Sequence, residues 1–269
     1  MAITKETLNL HFEERGTGTP ILLIHGFPFS GRMWAGQLET LSKSARLLVP
    51  DLPGFGDSPA REGGVSVEQY AGDCFAILDA LDIMEPVVIG GLSMGGYIAL
   101  AAARLMPLRI RGLILISTRA GADSAESKAN RDKTIAQVSE TGASVVTEAM
   151  YPKLLSPENY KAQPGVTDEL KEIMRSATSE GVVGALTAMR DRPNSTELLG
   201  NLHMPVLIIH GKDDQVIPPS EAEVMAKAIP HNDLHLIDNA GHLPNLEQPD
   251  EFNRIVQKFV AILPTSVTG

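Results

Sequence analysis

The chain has 269 residues, 43% of them apolar and 21% charged, with 33 acidic against 23 basic side chains and a formal net charge of −10. That composition belongs to a folded globular protein and excludes a chain disordered throughout. The acidic balance argues against nucleic acid or an anionic membrane surface as a partner, and the single cysteine, Cys74, excludes an intramolecular disulfide.

Met1–Thr7 has no apolar stretch of the kind a signal peptide needs. No apolar run later in the chain reaches the ~20 residues of a membrane-spanning helix. A soluble cytoplasmic protein is therefore expected.

Leu8–Glu14 alternates apolar and polar residues, the pattern of a half-buried strand. Ile21–Ile24, Leu47–Val49, Pro86–Gly90, Leu113–Ile116 and Val206–Ile209 are short continuous apolar runs, and Leu234–Ile237 is a further candidate strand. Continuous runs suit strands buried on both faces of a parallel sheet. Helical stretches alternate with them: Trp34–Ser44, Val67–Leu81, Gly95–Leu105, Ser220–Ala228 and Pro249–Ile262. The second of these opens with Ser66-Val67-Glu68-Gln69, a capping-box pattern. Cys74 falls inside it and is expected to be a small buried hydrophobe. The β-α alternation predicts an α/β fold with a doubly wound, mostly parallel sheet flanked by helices.

One segment breaks the rhythm. From Ala122 to Leu199 there is no strong β run, and the sequence is polar, helix-like and punctuated by Pro152, Pro157, Pro164 and Pro193. It is expected to be a helical cap over the sheet edge, inserted into a core made of 1–121 and 200–269. Ala122 marks its entrance. Met150, Tyr151, Leu154 and Met189 are its candidates for an apolar substrate wall, with Leu155, Met174 and Leu186 beside them. Some of these must instead pack cap helix against cap helix.

The chemistry centres on Gly91-Leu92-Ser93-Met94-Gly95, a G-x-S-x-G run between a buried strand and an Ala-rich helix. A serine on so sharp a turn sits in a strained backbone, and side chains two positions either side would collide with it. The alternative is a glycine-rich turn that only closes a βα unit. A P-loop is excluded, because the Lys-Ser/Thr ending is missing.

A serine hydroxyl needs a base. Among seven histidines, His242 lies in the loop after the last strand, where it can reach the serine. His11 is expected at the surface, His203 and His210 flank the Val206 strand, and His231 and His235 lie around the last strand. An orienting carboxylate is offered by Asp213 or Asp214, both at the end of the Val206 strand. His231 and His235 form the densest pair of metal-ligand type, but with no third ligand nearby no metal site is expected.

Taken together, His25-Gly26-Phe27-Pro28, Asp51-Leu52-Pro53-Gly54-Phe55-Gly56-Asp57-Ser58, the Ser93 turn, Gly211–Pro218 and Gly241-His242 resemble the α/β-hydrolase fold, in its esterase, enol-lactone hydrolase and acyl-homoserine lactonase group. The chain order serine, aspartate, histidine matches that family. The resemblance implies that Asp214, at the family's G-x-x-D-x-x-x-P spacing, is the acid. It implies that the backbone N–H groups of Phe27 and Met94 form an oxyanion hole. His25 is implied to be structural, and the Asp51–Ser58 loop to be a scaffold whose Asp57 and Ser58 bond the backbone. Phe27, Phe29, Met33 and Trp34, in or just after the oxyanion loop, are candidates for an acyl-pocket wall or for the core, and Val216 is a further pocket candidate.

The activity implied is cofactor-free hydrolysis of carboxylic esters and lactones through an acyl-enzyme, by a monomer or weak homo-oligomer acting on a small molecule. Serine in place of aspartate at the turn excludes the epoxide- and halide-processing branches. C–C bond hydrolysis and perhydrolase or haloperoxidase chemistry remain as alternatives on the same fold, and a ligand receptor as one of another class.

Overall fold

A computed structural model describes residues 8–61, 65–162 and 164–263. Among them, seven strands form one sheet in the order β1-β3-β2-β4-β5-β6-β7. They are β1 (Phe12–Arg15), β2 (Pro20–Ile24), β3 (Arg46–Pro50), β4 (Val87–Leu92), β5 (Ile110–Ile116), β6 (Val206–Gly211) and β7 (Asn232–Ile237). Only β1 runs antiparallel, pairing Phe12–Arg15 with Pro50–Leu47. The first strand thus starts four residues later than its alternation suggests, because among the described residues the ladder with β3 begins at Phe12.

Helices α1 (Ala35–Leu41), α2 (Val67–Ala80) and α3 (Met94–Leu105) follow β2, β3 and β4. Between β5 and β6 lie α4 (Ala125–Thr141), α5 (Ser144–Met150), α6 (Pro157–Ala162), α7 (Pro164–Arg175), α8 (Ser179–Asp191) and α9 (Thr196–Leu199). Helix α10 (Ser220–Ala228) leads to β7, and α11 (Pro244–Glu247) and α12 (Pro249–Ala261) follow it. Helix α2 starts at the expected capping box: Ser66 Oγ accepts from Gln69 N–H at 3.2 Å and Gln69 Oε1 accepts from Ser66 N–H at 2.8 Å. Cys74 is buried within it, and burial pushes its thiol well above the usual range.

Successive strand residues point to opposite faces, so each central strand feeds two cores. Leu22, Ile24, Ile89, Leu113, Leu115 and Ile208 pack with α2, α3 and α10. Ile21, Leu23, Val88, Ile114, Ile116 and Ile209 pack with α1 and α12. The apolar runs are continuous because both faces are dry.

The register aligns the carboxyl ends of the strands. Ile24 lies opposite Gly91, Leu92 opposite Ile116, Ile116 opposite Ile209 and Gly211 opposite Ile237. The loops carrying Phe27, Ser93, Asp214 and His242 therefore all leave the same edge, where ligands bind in open parallel sheets. Of the helices between β5 and β6, α4, α5 and α8 line a cavity at that edge together with Phe27 and Ser93. Helix α8 puts Val182, Ala185 and Met189 into the first core, and α7 puts Leu170, Ile173 and Met174 into the second. Thr178, before α8, donates its N–H and its hydroxyl to Gly54 O at 2.9 and 3.1 Å. No helix among the described residues is long and apolar enough to cross a membrane.

Candidate active site

Ser93 joins β4 to α3 with φ +56° and ψ −110°, a conformation that disfavours any side chain. The surroundings hold it there. Its N–H donates to Ile116 O at 2.8 Å, and its carbonyl accepts from Thr118 Oγ1 at 2.8 Å and from Gly96 N–H at 3.0 Å. The flanking glycines are required by space: a Cβ on Gly91 would stand 2.0 Å from Gly95 O, and one on Gly95 would stand 2.4 Å from Ile24 O. The expected steric reason for G-x-S-x-G is thus visible atom by atom.

Among the described residues, the backbone N–H groups of Phe27 and Met94 donate to no protein acceptor. Met94 opens α3, so its N–H is one of the unpaired donors of a helix N-terminus. The loop before Phe27 is fixed by His25, which is fully buried. His25 Nδ1 donates to Gly26 O at 2.8 Å, and Nε2 accepts from Leu52 N–H at 3.0 Å. Burial holds this imidazole below its usual pKa.

Asp214 sits at the end of β6 with its carboxylate fully buried. Oδ1 accepts from the N–H groups of Val216 and Ile217 at 2.8 and 3.0 Å. Oδ2 lies 2.8 Å from His242 Nδ1 and 3.0 Å from His210 Nε2. Burial alone would raise its pKa; the charge of His242, and hydrogen bonds from His210, His242 and Ile217 N–H, overcome that and hold it well below the usual carboxylate range. Asp213, the alternative acid, is exposed, and among the described residues only its backbone N–H is engaged, at 2.9 Å to Ala240 O.

His242 is buried, and its N–H donates to Leu154 O at 2.9 Å. With Nδ1–H facing the carboxylate, Nε2 is left as the acceptor, the tautomer that a general base requires. The loop around it is clamped by Glu247 of α11. This buried carboxylate accepts from Gly241 N–H at 2.7 Å, Ser156 N–H at 2.8 Å and Asn159 Nδ2 at 2.9 Å. Burial nonetheless pushes its pKa up. Neither Glu247 nor His210 is singled out in the sequence, although His210, four residues before Asp214 at a strand end, was the available signal.

Ser93 opens into a cavity of about 410 Å³. Phe27, Met150, Leu186, Met189 and Val216 line it, as the sequence suggests. Trp34, Phe29 and Leu154 do not: they are fully buried in the core shared with α1 and α12, on the other face of the sheet. Tyr151 packs against that same core, its ring tilted 37° from that of Tyr160 with centroids 6.0 Å apart. Ala122 is half-buried in the loop after β5 and is not among the lining residues. Val145, Val146, Ala149 and Ile217 extend that apolar lining, and a polar wall comes from α4: Ser127, Asn130, Arg131, Thr134 and Gln137, at the three- and four-residue spacing of one helix face. A search for apolar stripes misses such a face.

The Asp51–Ser58 loop is held differently from expectation. Ser58 Oγ does bond the backbone, at 2.7 Å to Asp51 O, but Asp57 contributes its N–H, and the carboxylate at the centre belongs to Asp51. That carboxylate accepts from Gly31 N–H at 2.7 Å and Asp57 N–H at 3.0 Å and faces His11 Nδ1 at 2.9 Å. His11, Asp51 and Asp57 are also the one group of three potential metal ligands among the described residues. His235, by contrast, pairs with Asp233 at 3.0 Å.

Residues 19–249 match the family model of the alpha/beta hydrolase fold. A thermophilic esterase from Thermogutta terrifontis, solved with malate bound, superposes with a TM-score of 0.92 at 40% identity, over 97% of each chain. The enol-lactonase of Burkholderia xenovorans LB400 superposes with a TM-score of 0.87 at 26% identity, over 94% of this chain and 96% of the other. In sequence, 2-hydroxymuconate semialdehyde hydrolase of Pseudomonas putida is 31% identical over 94% of this chain and 90% of its own. This chain belongs to the α/β-hydrolase fold family.

Proposed function

We propose that the protein is a cofactor-free serine hydrolase of carboxylic esters, lactones included. The observation that carries this reading is the buried His242–Asp214 pair at 2.8 Å, on the same sheet edge as a serine held at φ +56° over a cavity. In this reading His242 Nε2 takes the Ser93 proton as Oγ attacks the substrate carbonyl. Asp214 stabilises the imidazolium that forms. The N–H groups of Phe27 and Met94 receive the oxyanion, each contributing roughly 2.7–4 kcal/mol by the precedent of removed donors. His242 then protonates the leaving alcohol, and a water it activates releases the acid from Ser93. The segment 122–199 acts as the cap over a core of 1–121 and 200–269, and the substrate is a small molecule met in the cytoplasm.

The likeness to an esterase and an enol-lactonase supports ester and lactone substrates. The likeness to a semialdehyde hydrolase supports a second reading, C–C bond hydrolysis with the same residues. Turnover of 4-nitrophenyl esters, lactones and ring-cleavage diketones, by wild type and Ser93→Ala, tests both. Ester or lactone turnover that falls on the order of 10⁵–10⁶-fold in Ser93→Ala is the expected result. A variant retaining a tenth of wild-type rate overturns the assignment of the nucleophile.

A further inference from the structure

The cavity over Ser93 has two unlike walls. One is apolar, with Val146, Met150, Leu186 and Met189. The other is the polar face of α4, joined by Arg119 from the loop after β5. Among the described residues, Arg119 and Arg131 are the only charged ones lining the cavity, in a protein whose net charge is −10.

Both guanidiniums lean on Asp123, whose carboxylate is fully buried behind the wall. Arg119 Nη2 donates to its Oδ1 at 2.7 Å, and Arg131 Nε donates to its Oδ2. A third guanidinium, Arg192, donates to the same Oδ1 at 2.7 Å. Arg192 is itself buried, bonded to Met189 O and Gly121 O and stacked 3.9 Å over Tyr97. Three guanidiniums thus surround one carboxylate, and the cluster carries two positive charges beyond what Asp123 neutralises. Glu221 reaches Arg119 only through space. Among the described residues, both terminal nitrogens of Arg131 and the Nη1 of Arg119 donate to no protein acceptor, while the Nε of Arg119 is sealed off from the cavity. Unpaired guanidinium N–H groups in a partly buried cleft are a fork suited to a planar anion, and Asp123 holds their stems in place.

We propose that this site selects esters or lactones that carry a carboxylate, with the anion on Arg119 and Arg131 and the carbon chain along the apolar wall. The proposal rests on the serine-hydrolase reading and narrows its substrate class. A neutral ester of the same shape gains the apolar wall but leaves the guanidiniums without an anion, so discrimination of about tenfold or more is expected.

The test compares monoethyl glutarate with ethyl 5-methylhexanoate, its neutral isostere, and repeats the pair one carbon longer, following proton release. The quantity read is the ratio of kcat/KM within each pair. Because both esters are run on one preparation, any loss of folded enzyme in a variant cancels. Expected is a ratio above about ten in wild type that drops at least tenfold in Arg131→Gln and in Arg119→Gln. A wild-type ratio at or below one at both lengths, or a ratio that neither variant moves, overturns the proposal. Failure to hydrolyse any ester would instead strike the serine-hydrolase reading. Calorimetric titration with glutarate then decides the anion site by itself: saturable binding lost in Arg131→Gln upholds it, and no binding, or binding the variant leaves unchanged, overturns it.

Discussion

An aspartate facing two imidazoles is constrained more tightly than one facing a single partner. The acceptors nearest His210 Nε2 are Asp214 Oδ2 at 3.0 Å and Ile217 O at 2.9 Å, so this nitrogen carries the proton. His210 thereby fixes Oδ2 from one side while His242 draws on it from the other. Asparagine at this position would place an amide where the imidazolium needs a charge, and its NH₂ would compete with these N–H donors. Asp214→Asn is expected to lower ester kcat by roughly 10⁴, by the serine-protease precedent. Asp213→Asn, at an exposed side chain, is expected to change it less than about twofold, since surface substitutions of this kind rarely move anything. Steady-state kinetics on the two variants checks the pair, and equal losses would overturn Asp214 as the proposed acid.

The elements around the site divide into those that carry chemistry and those that brace it. Helix α11 is four residues long, yet its Glu247 ties the His242 loop to the segment ahead of α6. A glutamine in its place offers one acceptor and brings two donors of its own, so at least one of Gly241 N–H and Ser156 N–H loses its partner. Each buried N–H left unpaired costs about 1–3 kcal/mol, and each kcal/mol moves the thermal midpoint by about 2–4 °C in a protein of this size. Glu247→Gln is expected to melt several degrees lower with a reduced kcat, and an unchanged melting curve would mean that the clamp holds nothing. What the sequence could reveal follows from the same division. Strands buried on both faces read as apolar runs, and the G-x-S-x-G turn is local, so both were legible. The partnership of Asp214 with His210, the Glu247 clamp and the polar face of α4 were not. They depend on register between distant loops, or on polar residues whose spacing is helical but carries no apolar signal. Trp34 and Phe29 mislead for a related reason: nearness in sequence to the loop carrying Phe27 does not say which face of the sheet a side chain enters.

At the scale of the whole molecule, burial and pairing push different carboxyls in opposite directions. Asp214 is held low as described, and Asp123 is held low because Arg131 and Arg192 overcome the cost of its burial. Asp73 and Glu247 are raised, chiefly by burial. A carboxyl with a depressed folded pKa binds fewer protons folded than unfolded, so its stabilisation is present above the unfolded value of about 4 and is lost as pH falls toward the folded value. A raised carboxyl has the reverse sign: its contribution is present below about 4 and is lost as pH climbs through the folded pKa. Asp214 and Asp123 therefore govern the acid limb of the stability curve. The thermal midpoint of the wild type is expected to fall steadily between about pH 5 and pH 3. An amide cannot titrate, so Asp214→Asn is expected to melt lower at neutral pH and to lose less on acidification, giving a shallower slope over that window. Melting curves at half-unit steps on both proteins measure the two slopes. Parallel slopes would show that Asp214 does not supply the acid-labile stability, even if the variant is inactive.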